Sequence, residues 1–269
     1  MNYGKHSNDK TFRGGGQGNL SSITGIGAGT EPFRAAEKRT IKRGFTLAEV
    51  LITLGIIGIV AAMTMPTLIQ KNNNKVVETR LMKFYSVINQ AIKMAEVDYG
   101  DKVYWWEDVK GAEIDKDGNP VPGTSDAERW FNKYLAPYMK ILKTEISPDG
   151  ALMVYFPDGS ALNTRPNTSR DWRFYAGNPE QCESFVGEGV CYFVFYYNPG
   201  LISGSSYNSN KSFEPYKYAW DGDIERLKNA CYNNTPLGDS SVSGKSYCTA
   251  VIQLNGWKIP DDYPYKVRY

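Results

Sequence analysis

The chain has 269 residues, a hydrophobic fraction of 41% and a formal net charge of +2, enough apolar material for one sizeable core or two small ones. The charge is uneven: residues 1–44 hold eight Lys or Arg against Asp9, Glu31 and Glu37, a local +5, and the other 225 residues hold 23 bases and 26 acids, a local −3, so the body makes no electrostatic case for nucleic-acid binding. The one histidine, His6, lies in the basic leader, which excludes Ser-His-Asp and Cys-His catalysis and histidine-ligated zinc from the rest of the chain but leaves carboxylate-only chemistry open.

In chain order, residues 1–30 are rich in Gly, Ser, Asn and Thr ("FRGGGQGNLSSITGIGAGT") with no apolar period, and read as disordered. Residues 31–44 are basic and polar. "KRGFTLAEVLITLGIIGIVAAMTMPTLIQ" follows, from Lys42 to Gln70, and within it Val50 to Ile69 are 20 uncharged residues. As a helix they span roughly 30 Å, the thickness of a bilayer's hydrocarbon core. Lys38, Arg39, Lys42 and Arg43 flank the N-terminal side. The positive-inside rule makes that side cytoplasmic and the C-terminal body exported. A secretory signal peptide and an ordinary signal anchor are the rivals. Neither predicts the acid Glu49 at the head of the run, and "AAM" at 61–63 is a poor cleavage site. Gly55 and Gly58 allow close helix approach, or reflect the general abundance of glycine in membrane helices.

Beyond the apolar run, Val77, Leu81, Phe84, Ile88, Ala91 and Ala95 recur at spacings of 4, 3, 4, 3 and 4, with polar residues between. This predicts an amphipathic helix ending near Tyr99-Gly100. One long helix then starts in the membrane, bends or loosens at Pro66, and embeds its second half in a head. The head is mixed. "SDAERWFNKYLAPYMKIL" predicts a helix capped at Ser125 or Asp126 and interrupted at Pro137. "ALMVYFPDGSALNT" predicts two strands around a turn at Pro157-Asp158-Gly159-Ser160. "VCYFVFYYNPG" is β-rich, "DGDIERLKNACY" a short helix capped near Asp221 or Asp223, and "YCTAVIQLNGWKI" either strand or helix. The expected class is α+β, a long N-terminal helix packed on a small β-rich head.

The four cysteines, Cys182, Cys191, Cys231 and Cys248, form no C-x-x-C pair, which argues against a zinc knuckle. Three pairings are possible, and nearest-neighbour closure favours Cys182–Cys191 with Cys231–Cys248. Such bonds persist in an oxidising compartment, in line with export. "EIDKDGNP" places Asp115, Asp117 and Asn119 at alternate positions, as a calcium loop does, but the full EF-hand pattern is absent and an Asp-Gly turn explains the spacing. No other cofactor is expected. Tyr104, Trp105 and Trp106 read either as a sugar-binding platform or as core aromatics, and the core is the favoured reading.

Glu49 is the residue that needs an explanation, because a carboxylate in an apolar span is costly and marks function. No Lys or Arg lies within the span to partner it. A new α-amino group would serve, if the chain were cut before Phe45. Gly44-Phe45-Thr46-Leu47-Ala48-Glu49, preceded by Lys42-Arg43 and followed by an apolar helix with Pro66, resembles the cleavage and methylation signal of type IV pilins and type II secretion pseudopilins. The resemblance is strong over about residues 38–70; the four cysteines and "GWKI" in the head are weaker hints. It implies a prepilin peptidase that cuts between Gly44 and Phe45 and then N-methylates Phe45. It implies that Glu49 pairs with the N-terminal amine of an adjacent subunit, and that Pro66 is the helix's kink or melting point. Its partners would be other pilin-like subunits and an inner-membrane assembly platform. The expected organisation is a leader at 1–44, longer than the family's usual pre-sequence, a transmembrane and assembly helix at 45–70, and an exported amphipathic helix and head at 71–269. The expected product is a non-enzymatic filament subunit of a type II secretion or type IV pilus system. A minor pilin with an adhesive head and a membrane-anchored enzyme using carboxylates are the alternatives.

Overall fold

The computed structural model describes residues 44–105, 111–165, 168–182, 186–197, 213–238, 240 and 242–269. The basic leader, its glycine-rich start and Trp106 lie outside the described residues. The chain divides into two units, Met1–Val50 and Leu51–Tyr269. In the first, Gly44, Phe45 and Thr46 are non-helical and Leu47 opens helix α1 (Leu47–Tyr99).

In the second unit α1 changes character along its length. Residues 51–69 are apolar on every side, so the helix offers water no polar face there. It is long and apolar enough to cross a membrane, and none of that window is buried inside the protein. The helix assignment of α1 runs unbroken through Pro66, the position of the expected bend or loosening. The proline removes one donor, the one that would serve Ala62 O, and the turns on either side stay helical. From Val77 onward the predicted stripe is buried, joined by Tyr85 and Ile92.

The head is built on a six-stranded antiparallel meander, β1 (Lys143–Ile146), β2 (Leu152–Tyr155), β3 (Ala161–Arg165), β4 (Thr168–Tyr175), β5 (Tyr192–Tyr197) and β6 (Phe213–Pro215), neighbours in sequence being neighbours in space. The β2–β3 hairpin turns through Phe156–Ser160, where Phe156 N donates to Ser160 O at 2.9 Å. In β4 and β5 Trp172 pairs with Phe195, and Phe174 with Phe193. Alternate residues serve two cores, as a period of two requires. Trp172, Phe174, Phe193, Phe195 and Tyr197 face one core, with the buried stripe of α1. Phe84 of α1 anchors it, stacked on Phe174 at 4.3 Å and edge-on to Phe195 at 5.2 Å. Tyr175, Tyr192, Val194 and Tyr196 face the other, with helices α3 (Ile224–Asn233) and α4 (Cys248–Leu254). Every residue of β5 is therefore buried.

Local signals set the helix ends. Ser125 caps α2 (Asp126–Tyr134), its hydroxyl accepting from Glu128 N. Asp223 caps α3, accepting from Glu225 N and Arg226 N. The helix predicted to break at Pro137 ends at Tyr134 and continues as a 3-10 turn over Ala136–Tyr138. The segment that read as strand or helix is α4. Two disulfides, Cys182–Cys191 and Cys231–Cys248, join the pairs nearest in sequence, and the second ties α3 to α4.

Candidate functional site

Three described residues, Gly44, Phe45 and Thr46, precede α1. Gly44 and Phe45 are exposed, Phe45 at 89%. A Cβ on Gly44 would meet nothing within 4 Å. The described fold therefore makes no steric demand for glycine there.

Thr46 and Glu49 close the start of α1 on each other. Thr46 N–H donates to Glu49 Oε2 at 2.8 Å, and Glu49 N–H donates to Thr46 Oγ1 at 3.2 Å. This is a capping box, in which the cap residue and the third helical residue satisfy each other's backbone donors. The Thr46 hydroxyl also donates to Glu49 Oε2 at 2.9 Å. All of these carboxylate bonds land on one oxygen, and Oε1 takes no bond among the described residues. The sequence reading missed Thr46; its signal was the T-x-x-E spacing ahead of an apolar run. Gly55 and Gly58 have nothing within 4 Å of an added Cβ, so that face of α1 is open.

In the head, the Asp115 turn has the geometry of a structural turn. Asp115 Oδ1 accepts from Asp117 N at 2.9 Å and Asn119 N at 2.8 Å, with Gly118 at φ +85°. These amides, that of Asn119 foremost, hold the Asp115 carboxyl below its ordinary range. No group of three or more His, Cys, Asp or Glu able to hold a metal gathers among the described residues. Trp105 is 1% exposed, stacked on Tyr134 at 4.7 Å, while Tyr104 is 84% exposed. The two point to different environments and build no shared platform.

Two buried carboxylates bear on the enzyme alternative. Glu214 accepts from Tyr85 Oη at 2.6 Å and from Gln253 Nε2 at 3.0 Å, with Lys217 Nζ at 3.5 Å. Burial, reinforced by Glu214, pushes the Tyr85 phenol up. Burial lowers the Lys217 ammonium, and the Glu214 charge opposes that. Glu188 accepts from Ser246 Oγ at 2.6 Å. Both acids are sealed in the core and join elements of the fold: Glu214 links β6 to α1 and α4.

Two family matches divide the chain near Pro66. The Prokaryotic N-terminal methylation motif matches residues 39–65. The Family of unknown function (DUF6613) matches residues 67–267, more than half of the chain. The chain belongs to DUF6613. No curated protein and no solved structure matches it. Residues 39–65 of this DUF6613 protein are a type IV pilin-like prepilin signal. That signal supports a pilin-like or pseudopilin subunit rather than an enzyme, and with the long apolar helix it is consistent with membrane anchoring.

Proposed function

We propose that this DUF6613 protein is a prepilin-type filament subunit of a type II secretion or type IV pilus system. A prepilin peptidase hydrolyses the Gly44–Phe45 bond and methylates the new amine of Phe45. The mature chain, held in the cytoplasmic membrane by α1 with its head exported, then polymerises with other pilin-like subunits on an inner-membrane assembly platform.

The observation that carries this reading is the methylation motif falling on an exposed, non-helical peptide bond next to a capped apolar helix with one acid. The capping box survives cleavage, because Thr46 and Glu49 both stay in the mature chain. The α-amine of Phe45 is cationic below a pKa of about 7.7–8.0. Glu49 Oε2 serves its own helix and Oε1 is left for a neighbour's amine. A charge pair in an apolar surround makes one register of adjacent helices much better than its alternatives, the specificity role open to buried pairs.

N-terminal mass spectrometry tests the proposal. In cells with the peptidase the mature chain should begin at N-methyl-Phe45, and in cells without it the leader should remain. A cut near Ala61–Met63 would mean an ordinary signal peptide and would overturn the proposal.

A further inference from the structure

The last residues of the sequence form a strap along α1, just past the apolar span. Val267 is buried. Its carbonyl accepts from Gln70 Nε2 at 3.1 Å and from Asn73 Nδ2 at 3.4 Å. Arg268 N donates to Val190 O at 3.0 Å. The Arg80 guanidinium lies 5.0 Å from the Tyr269 ring centre, and a Cβ on Gly177 would come within 2.2 Å of the Tyr269 carbonyl carbon. Asn72 Nδ2 donates to Tyr269 Oη at 3.4 Å, so Gln70, Asn72 and Asn73 of the "QKNNNK" run bind the strap, the two asparagines being poor helix formers, while Asn74 accepts from Gln70 Nε2 at 2.7 Å.

Seating the strap has an electrostatic consequence. It places Lys266 and Arg268 on either side of Val267, level with residues 70–73. Lys71 and Lys75, one helical turn apart, share a flank of α1 at the same level. All four are exposed. None has a side-chain hydrogen bond or an ion pair among the described residues. The nearby acid, Glu78, is engaged by Lys258 Nζ at 3.0 Å and Ile259 N at 2.9 Å. Residues 70–75 rise about 9 Å beyond Ile69, comparable to the headgroup layer outside the hydrocarbon, about 5–8 Å.

We propose that Lys71, Lys75, Lys266 and Arg268 form a collar that binds anionic phospholipid headgroups on the exported side of the membrane. The proposal rests on the membrane-anchored, head-out reading above. Cations on the exported flank run against the usual bias of Lys and Arg to the cytoplasmic side, and headgroup binding gives them a role. The collar holds the head against the bilayer while the subunit waits in the membrane, and assembly has to break that contact.

The full chain in nanodiscs of phosphatidylcholine, with and without phosphatidylglycerol, tests the collar. Hydrogen exchange is read over residues 70–76 and 263–269. Each cation near an anionic surface should favour the docked state about five-fold. Exchange should therefore slow at least five-fold in the phosphatidylglycerol discs, and the difference should vanish at high salt. It should also shrink in Lys266→Gln/Arg268→Gln and in Lys71→Gln/Lys75→Gln, vanish when all four are glutamine, and persist in full in Lys143→Gln on strand β1. The strap is held at Val267 and residue 268 by backbone groups, so protection of the residue-268 amide in detergent should survive the glutamine changes. Equal exchange in both lipids, in a chain that resists carbonate extraction, overturns the collar alone. Release by carbonate overturns the anchored reading and the collar with it.

Discussion

Glu49 has two separable tasks at the scale of single atoms. Its Oε2 closes a capping box with Thr46, and its charge is proposed to meet a neighbour's amine. Glutamine at the third helical position also serves a capping box, so Glu49→Gln keeps the cap and removes the charge. Thr46→Val does the reverse. Cleavage at Gly44 should be near normal in both variants, read by gel shift. Filament yield, read by electron microscopy, should fall more than about ten-fold in Glu49→Gln, since bonds to charged groups are the stronger class. It should fall far less in Thr46→Val. Full filament yield from Glu49→Gln would remove the charge from the proposed mechanism and leave Glu49 as a helix cap.

Between elements, the β2–β3 turn shows how the sheet grips α1. Asp158 Oδ2 receives Lys83 Nζ at 2.8 Å, Asp158 O receives Arg80 Nη2 at 2.5 Å, and Oδ1 receives Ser160 N at 3.1 Å. Partial burial pushes the Asp158 carboxyl up, but the bonds from Lys83 and Ser160 outweigh it and lower the pKa from 3.8 to about 2. A carboxyl whose folded pKa lies below its unfolded value stabilises the fold above the unfolded value, and loses that contribution as pH falls through the folded one. The window is therefore pH 4 down to pH 2. With the exposed Lys83 screened by solvent, the contribution is about 1 kcal/mol. Urea midpoints should fall more steeply with acid in the parent than in Asp158→Asn over that window. Parallel acid profiles would show that Asp158 is no part of the grip. The hairpin was readable in advance because alternating apolar residues flank Pro157-Asp158-Gly159-Ser160, turn residues each with its own backbone preference. Helix α4 was not, because "CTAVIQL" is apolar at too many positions for either period to stand out.

At the scale of the whole molecule, the sheet is covered on both faces, by α1 and by the α3–α4 pair, and the disulfides stitch the second cover. Cys231–Cys248 closes 17 residues of sequence separation and Cys182–Cys191 closes 9. The chain-entropy estimate gives about 3 kcal/mol for the longer loop and slightly less for the shorter. Cys231 and Cys248 are also fully buried, so their removal loosens packing as well. Cys231→Ala/Cys248→Ala should thus be destabilised by about 3 kcal/mol or more in urea unfolding, and more than Cys182→Ala/Cys191→Ala. A double variant as stable as the parent would mean that α3 and α4 hold the second face without the bond.

What the sequence determined alone was what depends on short stretches of chain. The prepilin-like signal, the apolar span, the buried stripe of α1 and the α+β class follow from local composition and from periods of 3.6 and 2, which each stretch carries whatever surrounds it. The capping box belongs here too, being written in four residues. Tertiary structure decided what depends on residues far apart in the chain. It took Trp105 into the core under Tyr134, the favoured reading of that aromatic run, but left its neighbour Tyr104 exposed, against that reading. It covered both faces of β5. It laid Val267 on Gln70 and Asn73, nearly two hundred positions away, bringing Lys266 and Arg268 to the end of the apolar span. The physical reason is that burial and long-range pairing are settled by which surfaces meet when the chain folds, and no window of sequence contains both partners.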